Sequence, residues 1–178
     1  MPSQATDSKY ASMTAHSDFF LKLGDIKGES LDDKHKGEIQ VTSFSWGASQ
    51  PASSGSVGGG AGVGKVQFSE FHITKVLDSS SPKLMLACAS GAHFPEALLT
   101  CRKAGGSQVE YAKIKLEGVV VSRHEVEGGH SELKDALPLE TISFNYSKIN
   151  FNYTAQDSSG NPGANTMTGW DLQTNKKI

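Results

Sequence analysis

The chain has 178 residues, 37% of them hydrophobic and 20% charged, with a formal net charge of −2; this suits one folded domain and excludes an intrinsically disordered chain. Such a balance lacks the basic field that nucleic-acid binders need, and no apolar run reaches the length of a membrane-spanning helix. The two cysteines, Cys88 and Cys101, are too few for a disulfide framework and read as buried thiols of a protein made in a reducing cytoplasm.

Residues 1–17, MPSQATDSKYASMTAHS, are polar and show no sustained period. They read as a flexible arm, and they lack the apolar segment of a secretory signal. A single domain is expected over residues 18–178. A strand begins at Asp18, where Phe19, Leu21 and Leu23 alternate with Phe20 and Lys22. Residues 25–37 are charged and read as a loop, and residues 38–47 are rich in β-branched and aromatic side chains. Residues 48–64 hold a Gly/Ser-rich stretch too long for a hairpin turn. A short helix is expected after Ser80 and Ser81, with Pro82 in its first turn and Gly91 as its stop. Leu84, Leu86, Ala87 and Cys88 would pack it on a sheet.

Strand patterns then resume at residues 97–102, turn at Gly105-Gly106, and continue at 109–123 with Ala112, Ile114, Leu116, Gly118 and Val120 on one face. A turn is expected from Glu127 to His130, a long strand at 139–154, a polar loop at 156–169, and a last strand with Trp170 and Leu172. Three runs change phase: Ile39 and Val41 give way to Phe44 and Trp46; Val66 and Phe68 to Phe71 and Ile73; Ile142, Phe144 and Tyr146 to Ile149, Phe151 and Tyr153. A period of two cannot change phase without a bulge or a change of buried face. Seven or eight strands and one helix imply a β-barrel or sandwich.

Candidate chemistry is thin. Gly59-Gly-Ala-Gly-Val-Gly64-Lys65-Val66 imitates a phosphate-binding loop, but that motif needs Ser or Thr where Val66 stands, and it must open a helix. Residues 66–73 read as strand instead. His124, Glu125, Glu127 and His130 could surround zinc, yet no third histidine is near, and solvated turn charges are the simpler reading. His35 and His72 are isolated. Cys88 and Cys101 lie in apolar patterns that make a thiol inert. No catalytic residue, cofactor site or metal site is expected, and the chain does not read as an enzyme. Trp46, Trp170 and Tyr153 could present aromatic faces to a sugar in a secreted β-barrel binding module, but large aromatics more often fill a core.

The runs FLKLGDIKGES at 20–30, SWG at 45–47, ITKVLDSSSPKLMLACASGAHFPEALLTCRKAGG at 73–106, QVEYAKIKLEGVVVS at 108–122 and GW at 169–170 resemble the haemolysin-coregulated protein (Hcp) family of the type VI secretion system. The resemblance runs from Phe19 to the last strand. It implies a compact β-barrel of two antiparallel sheets with one flanking short α-helix. It also implies homo-hexameric rings that stack into a tube, with sheath, spike and baseplate proteins as partners. Small effector proteins would bind in the lumen, and the subunit would leave the cytoplasm on contraction without a cleaved signal. The segment 49–64 matches a family loop that reaches neighbouring subunits, which marks Ser49, Gln50, Pro51, Val57, Gly59, Gly60 and Val63 as expected interface residues. Phage tail-tube proteins share this architecture and form an alternative.

Overall fold

A computed structural model describes residues 17–51, 65–104, 108–129, 137–157 and 161–178. The expected arm up to His16, the Gly105-Gly106 turn and His130 lie outside the described residues. Within them the order is β1 (Ser17–Leu23), β2 (Ile39–Val41), β3 (Ser43–Ser45), β4 (Ala48–Ser49), β5 (Gln67–Phe68), β6 (Phe71–Val76) and α1 (Ser81–Ser90). There follow β7 (His93–Lys103), β8 (Glu110–Glu127), β9 (Leu139–Asn145), β10 (Lys148–Gln156), β11 (Pro162–Asp171) and β12 (Lys176–Lys177). The protein is mostly β with one short helix, as its patterns predict.

One sheet runs β12-β11-β10-β8-β7-β1-β2, and a branch β9-β6-β3 leaves β8; β4 and β5 form a second, two-stranded sheet. Every pairing is antiparallel. The ladder is not an unbroken closed barrel: β2 pairs with β1 while β3 pairs with β6, and the Thr42 N–H bonds the Thr74 carbonyl at 2.7 Å across that corner.

The phase changes in the sequence are these corners. Ile39 and Val41 face the core from β2, and after Thr42 the chain changes partner and Phe44 turns inward to stack on Phe71. The break between β5 and β6 does the same for Phe68 and Phe71. The third change splits the expected strand 139–154 at Tyr146-Ser147 into β9 and β10. Directly opposite, β8 changes phase too: Ala112, Ile114 and Leu116 are buried, then Val119 and Val121. The expected continuation of the first face through Gly118 and Val120 is therefore corrected. Gly118 sits at φ +62, where a side chain is strained, and a Cβ there would collide with the Ser147 hydroxyl. The Ser147 N–H and hydroxyl both donate to the Glu117 carbonyl, at 2.9 and 3.0 Å. One further correction concerns residues 156–169, expected as loop. Most of them form β11, which pairs with β10 from Asp171 back to Pro162.

Helix α1 starts at Ser81 with Pro82 in its first turn and ends at Gly91 in the left-handed region, φ +63. Leu84 and Ala87 are buried as expected, but Leu86 is 62% exposed and Cys88 is only half-buried. The helical period is the reason: residue 86 lies two positions from 84 and so points to the opposite side. Ser80 does not cap the helix with its side chain. Its hydroxyl instead donates to Asp78 Oδ1, which also receives the Ser80 N–H at 2.8 Å.

Beneath this helix start lies a buried polar cluster. Lys75 and Glu140, 0% and 1% exposed, form an ion pair from β6 to β9. Lys75 Nζ also donates to Asp78 Oδ1 at 2.7 Å and to the Val76 carbonyl at 2.8 Å. Ser81 Oγ donates to Glu140 Oε1 at 2.6 Å, and His124 Nε2 lies 2.8 Å from Glu140 Oε2. The cluster ties three strands to the helix. Removing one partner leaves an uncompensated buried charge, so Lys75→Met is expected to destabilise the fold by about 3–5 kcal/mol, whereas Lys75→Met with Glu140→Leu recovers much of that loss. Urea denaturation midpoints of the three chains check it.

Candidate functional site

Of the expected interface residues, Ser49, Gln50 and Pro51 are described and exposed. Val57, Gly59, Gly60 and Val63 lie outside the described residues. Ser49 ends β4 opposite Gln67 of β5, and Ala48 stands opposite Phe68. This short hairpin is clamped at its base. The Gly47 N–H donates to Ser69 Oγ at 2.8 Å, the Ser69 N–H to the Gly47 carbonyl at 2.9 Å, and the Tyr146 hydroxyl to the Ser69 carbonyl at 3.0 Å. Burial pushes the Tyr146 hydroxyl up to about 12, so it stays a neutral donor. After Lys65-Val66 comes β5, not a helix, and the phosphate-loop imitation lacks the helix that would hold an anion.

An apolar groove opens beside this root. Its walls are Trp46, Ala48 and Phe68 on one side and Ile149, Phe151 and Trp170 on the other, with Thr168 and Gly169 at its end. Its volume is about 260 Å³ and none of these residues is charged. Strand register explains why it exists. Ala112, Ile114 and Leu116 of β8 stand opposite Tyr153, Phe151 and Ile149 of β10, which stand opposite Thr166, Thr168 and Trp170 of β11. All share the core-facing side of the sheet. β8 is covered there, but the cover runs out toward β11: Tyr153 is 49% exposed, and the two tryptophans are half-buried. Trp46 meets Phe151 edge-on, with ring centroids 5.9 Å apart.

The expectation that these aromatics fill the core is met only in part: Trp46 and Trp170 are half-buried and Tyr153 is exposed. Ligand sites that fix a polar molecule need several well-placed polar groups; here the lining side chains offer only the Thr168 hydroxyl and the two indole N–H groups, and Trp170 Nε1 is shielded from solvent with no acceptor among the described residues. What such a surface can do is bury apolar matter. β11 adds an edge: from Pro162 to Thr168 every residue is exposed, and β12 pairs only with Trp170 and Asp171. Sequence reasoning missed β11 because a strand solvated on both faces shows no alternation.

The remaining candidates are structural. His124, expected as a solvated turn charge, has a side chain only 8% exposed and belongs to the Glu140 cluster. Glu125 meets Arg123 at 3.5 Å, and Glu127 ends β8 exposed. His72 Nδ1 lies 2.8 Å from Ser143 Oγ. Among the described residues no group of three His, Cys, Asp or Glu is placed to hold a metal ion. His35 stacks on Phe20 at 4.3 Å, and its Nδ1 lies 2.9 Å from Glu38 Oε2. Arg102 sits over the same Phe20 ring, 5.0 Å from its centroid, and pairs with Asp32 at 2.6 Å and Asp18 at 3.1 Å. The Arg102 guanidinium holds the Asp32 carboxyl below its ordinary value. Cys101 is buried, and burial pushes its thiol up to about 11.

Comparison with known proteins places this fold. The family model "Type VI secretion system effector, Hcp" matches residues 20–153. Protein hcp1 of Pseudomonas aeruginosa is 44% identical over 160 residues, covering 89% of this chain and 96% of that protein. A solved structure described as a type six secretion system protein superposes with a TM-score of 0.86 at 35% identity, covering 92% of this chain and all of the other. Hcp1 from Salmonella typhimurium superposes with a TM-score of 0.75 at 34% identity, over 91% and 99% of the two chains.

Two measurements probe these environments. In the native chain at mildly alkaline pH, a small thiol reagent is expected to label half-buried Cys88 and to reach Cys101 only after denaturation; mass spectrometry counts the labels. Because the folded Asp32 carboxyl titrates below its ordinary value of 3.8, its contribution to stability is complete above that value and is lost as pH falls beneath it. Asp32→Asn is therefore expected to flatten the acid limb of the melting temperature against pH.

Proposed function

The chain belongs to the Hcp family of type VI secretion proteins, and on that premise we propose that it is the structural subunit of a secretion tube. Six copies close head-to-tail into a ring, and rings stack into a tube that works with sheath, spike and baseplate proteins. Small effector proteins ride in the lumen, and contraction drives the subunit itself out of the cytoplasm. The observation that carries this reading is the end-to-end likeness to secretion proteins, at 44% identity over 96% of one relative's length. The work done is assembly, and the reading assigns the chain no catalytic step.

Physical features of the surface support it. A head-to-tail ring needs two different patches on each copy that fit each other. A strand edge without a partner invites pairing with another chain, and soluble monomers normally blunt such edges; among the described residues β11 has one over 162–168, on the side away from β10. Here residues 162–168 contain no lysine, glutamate or aspartate to do so, although Pro162 begins the strand. The segment 49–64 is the inter-subunit connector in this reading, with Ser49, Gln50 and Pro51 at its root and Val57, Gly59, Gly60 and Val63 beyond. No helix among the described residues is long and apolar enough to cross a membrane.

Mass photometry and negative-stain imaging test the proposal. The expected particle has about six times the 18.9 kDa mass of one chain and a central hole. A chain that stays monomeric across the micromolar range sinks it.

A further inference from the structure

Phe20 is 2% exposed, yet it stands apart from the hydrophobic cluster that fills the core. Leu21 and Leu23 face that cluster from β1, so Phe20 points to the other side of the sheet, where alternation alone leaves it in water. Its cover comes from the loop 24–38 and from β7. The His35 ring stacks on it, with 4.3 Å between centroids and 7° between planes, and the Arg102 guanidinium lies 5.0 Å from its centroid. His35 is itself buried, and a carboxylate faces each of its ring nitrogens. Nδ1 lies 2.9 Å from Glu38 Oε2, at the end of the same loop. Nε2 lies 3.4 Å from Glu110 Oε1, at the head of β8, and is shielded from solvent with no formed hydrogen bond among the described residues. We infer that His35 is a proton-operated strap: its protonation fastens the loop 24–38 to β8 over Phe20, and its deprotonation releases that end of the loop.

The count of donors gives the direction. A neutral imidazole has one N–H, so it donates to one of these carboxylates and turns a lone pair toward the other; an imidazolium donates to both. The shorter contact, to Glu38, joins residues three apart and holds nothing across the fold. The contact to Glu110 does cross the fold, and it is the one a neutral ring forgoes. A lone pair aimed at a carboxylate where water cannot enter is unfavourable. Asp32, Lys34, Arg102, Asp18 and Lys113 complete the charged surroundings. Asp32 Oδ1 accepts the His35 backbone N–H at 3.2 Å, and its carboxyl pairs with Arg102, which holds it below its ordinary value. Asp18 meets the same guanidinium. Partial burial raises the Glu110 carboxyl, but its hydrogen bond with Lys113 and the neighbouring positive charges, Lys34 among them, outweigh this and keep it below its ordinary value. Glu110 is therefore an anion throughout the range in which histidines titrate. Asp32 anchors its part of the loop across that range, and His35 decides whether the following part is held.

Two amides report on the strap, since the Gly37 N–H donates to the Ser30 carbonyl and the Glu38 N–H to the His35 carbonyl. Hydrogen exchange of the full chain is followed by mass spectrometry on peptides covering these residues, from about pH 5 to about pH 8. Rates are expressed as protection factors, which removes the intrinsic effect of pH, and mass photometry keeps the comparison to one state of assembly. Protection of Gly37 and Glu38 is expected to fall about tenfold as pH rises, through loss of one charge-assisted hydrogen bond, while β7 stays constant. Glu110→Gln is expected to remove this step in a chain that still melts cooperatively, because an amide accepts from a protonated ring and donates to a neutral one. His35→Phe, which keeps a ring on Phe20 but carries no exchangeable proton, is expected to remove it as well. Protection that is the same at both ends of the range overturns the inference. So does a step that survives in either folded variant, since another group is then titrating. Neither result depends on whether the chain forms rings, so the tube reading stands or falls separately.

Discussion

One strand is shared by three partners, and the fold follows from how it manages this. β8 pairs with β7 along one edge, and along the other with β10 over Ala112–Glu117 and then with β9 from Val120 onward. The β10 and β9 wings close over one core, and β8 buries opposite parities in its two halves to serve both. The change falls at Gly118, whose positive φ and missing side chain admit the Ser147 corner of the opposing chain. Leu116 and Val119 therefore both point inward although their parities differ. Both wings of the sheet, and hence the core between them, depend on this one left-handed residue.

The branch through β9 and β6 is fastened by charge. Burying Lys75 and Glu140 is costly by itself, and their mutual attraction offsets the cost only because the remaining donors and acceptors are filled by Asp78, Ser81, His124 and the Val76 carbonyl. Such a cluster adds little net stability over an apolar one. It does specify which strand, which helix end and which turn meet, since any other register leaves a charge unpaired in the interior. The serines before Pro82 serve this cluster rather than the helix terminus alone. That explains why Ser80 lacks a capping bond while Ser81 is buried.

Much of this was legible in the residues. The alternation of Phe19, Leu21 and Leu23, the Pro82-to-Gly91 helix, and the three phase changes all correspond to real elements and corners. The change in β8 was not legible, because Val119, Val120 and Val121 are consecutive valines and either parity fits them. β11 was hidden for the opposite reason: with both faces in water, its Pro-Gly-Ala-Asn-Thr-Met-Thr run has no period to read. Of the candidate site, the root at Ser49, Gln50 and Pro51 was marked by the glycine-rich run beside it. The groove was not, since its lining comes from the β3–β4 connection, β4, β5, β10 and β11, which lie far apart in sequence and meet only in the folded chain. Buried charges such as Lys75 look, in sequence, like any lysine on a solvated face.

A sheet whose core face outruns its cover is a poor design for a lone molecule. Tyr153, Phe151 and Trp170 keep apolar area in water, and the edge beyond them, over 162–168, has no strand partner among the described residues. Each feature costs stability in isolation and favours association, because contact area left open in the monomer is available only to a partner.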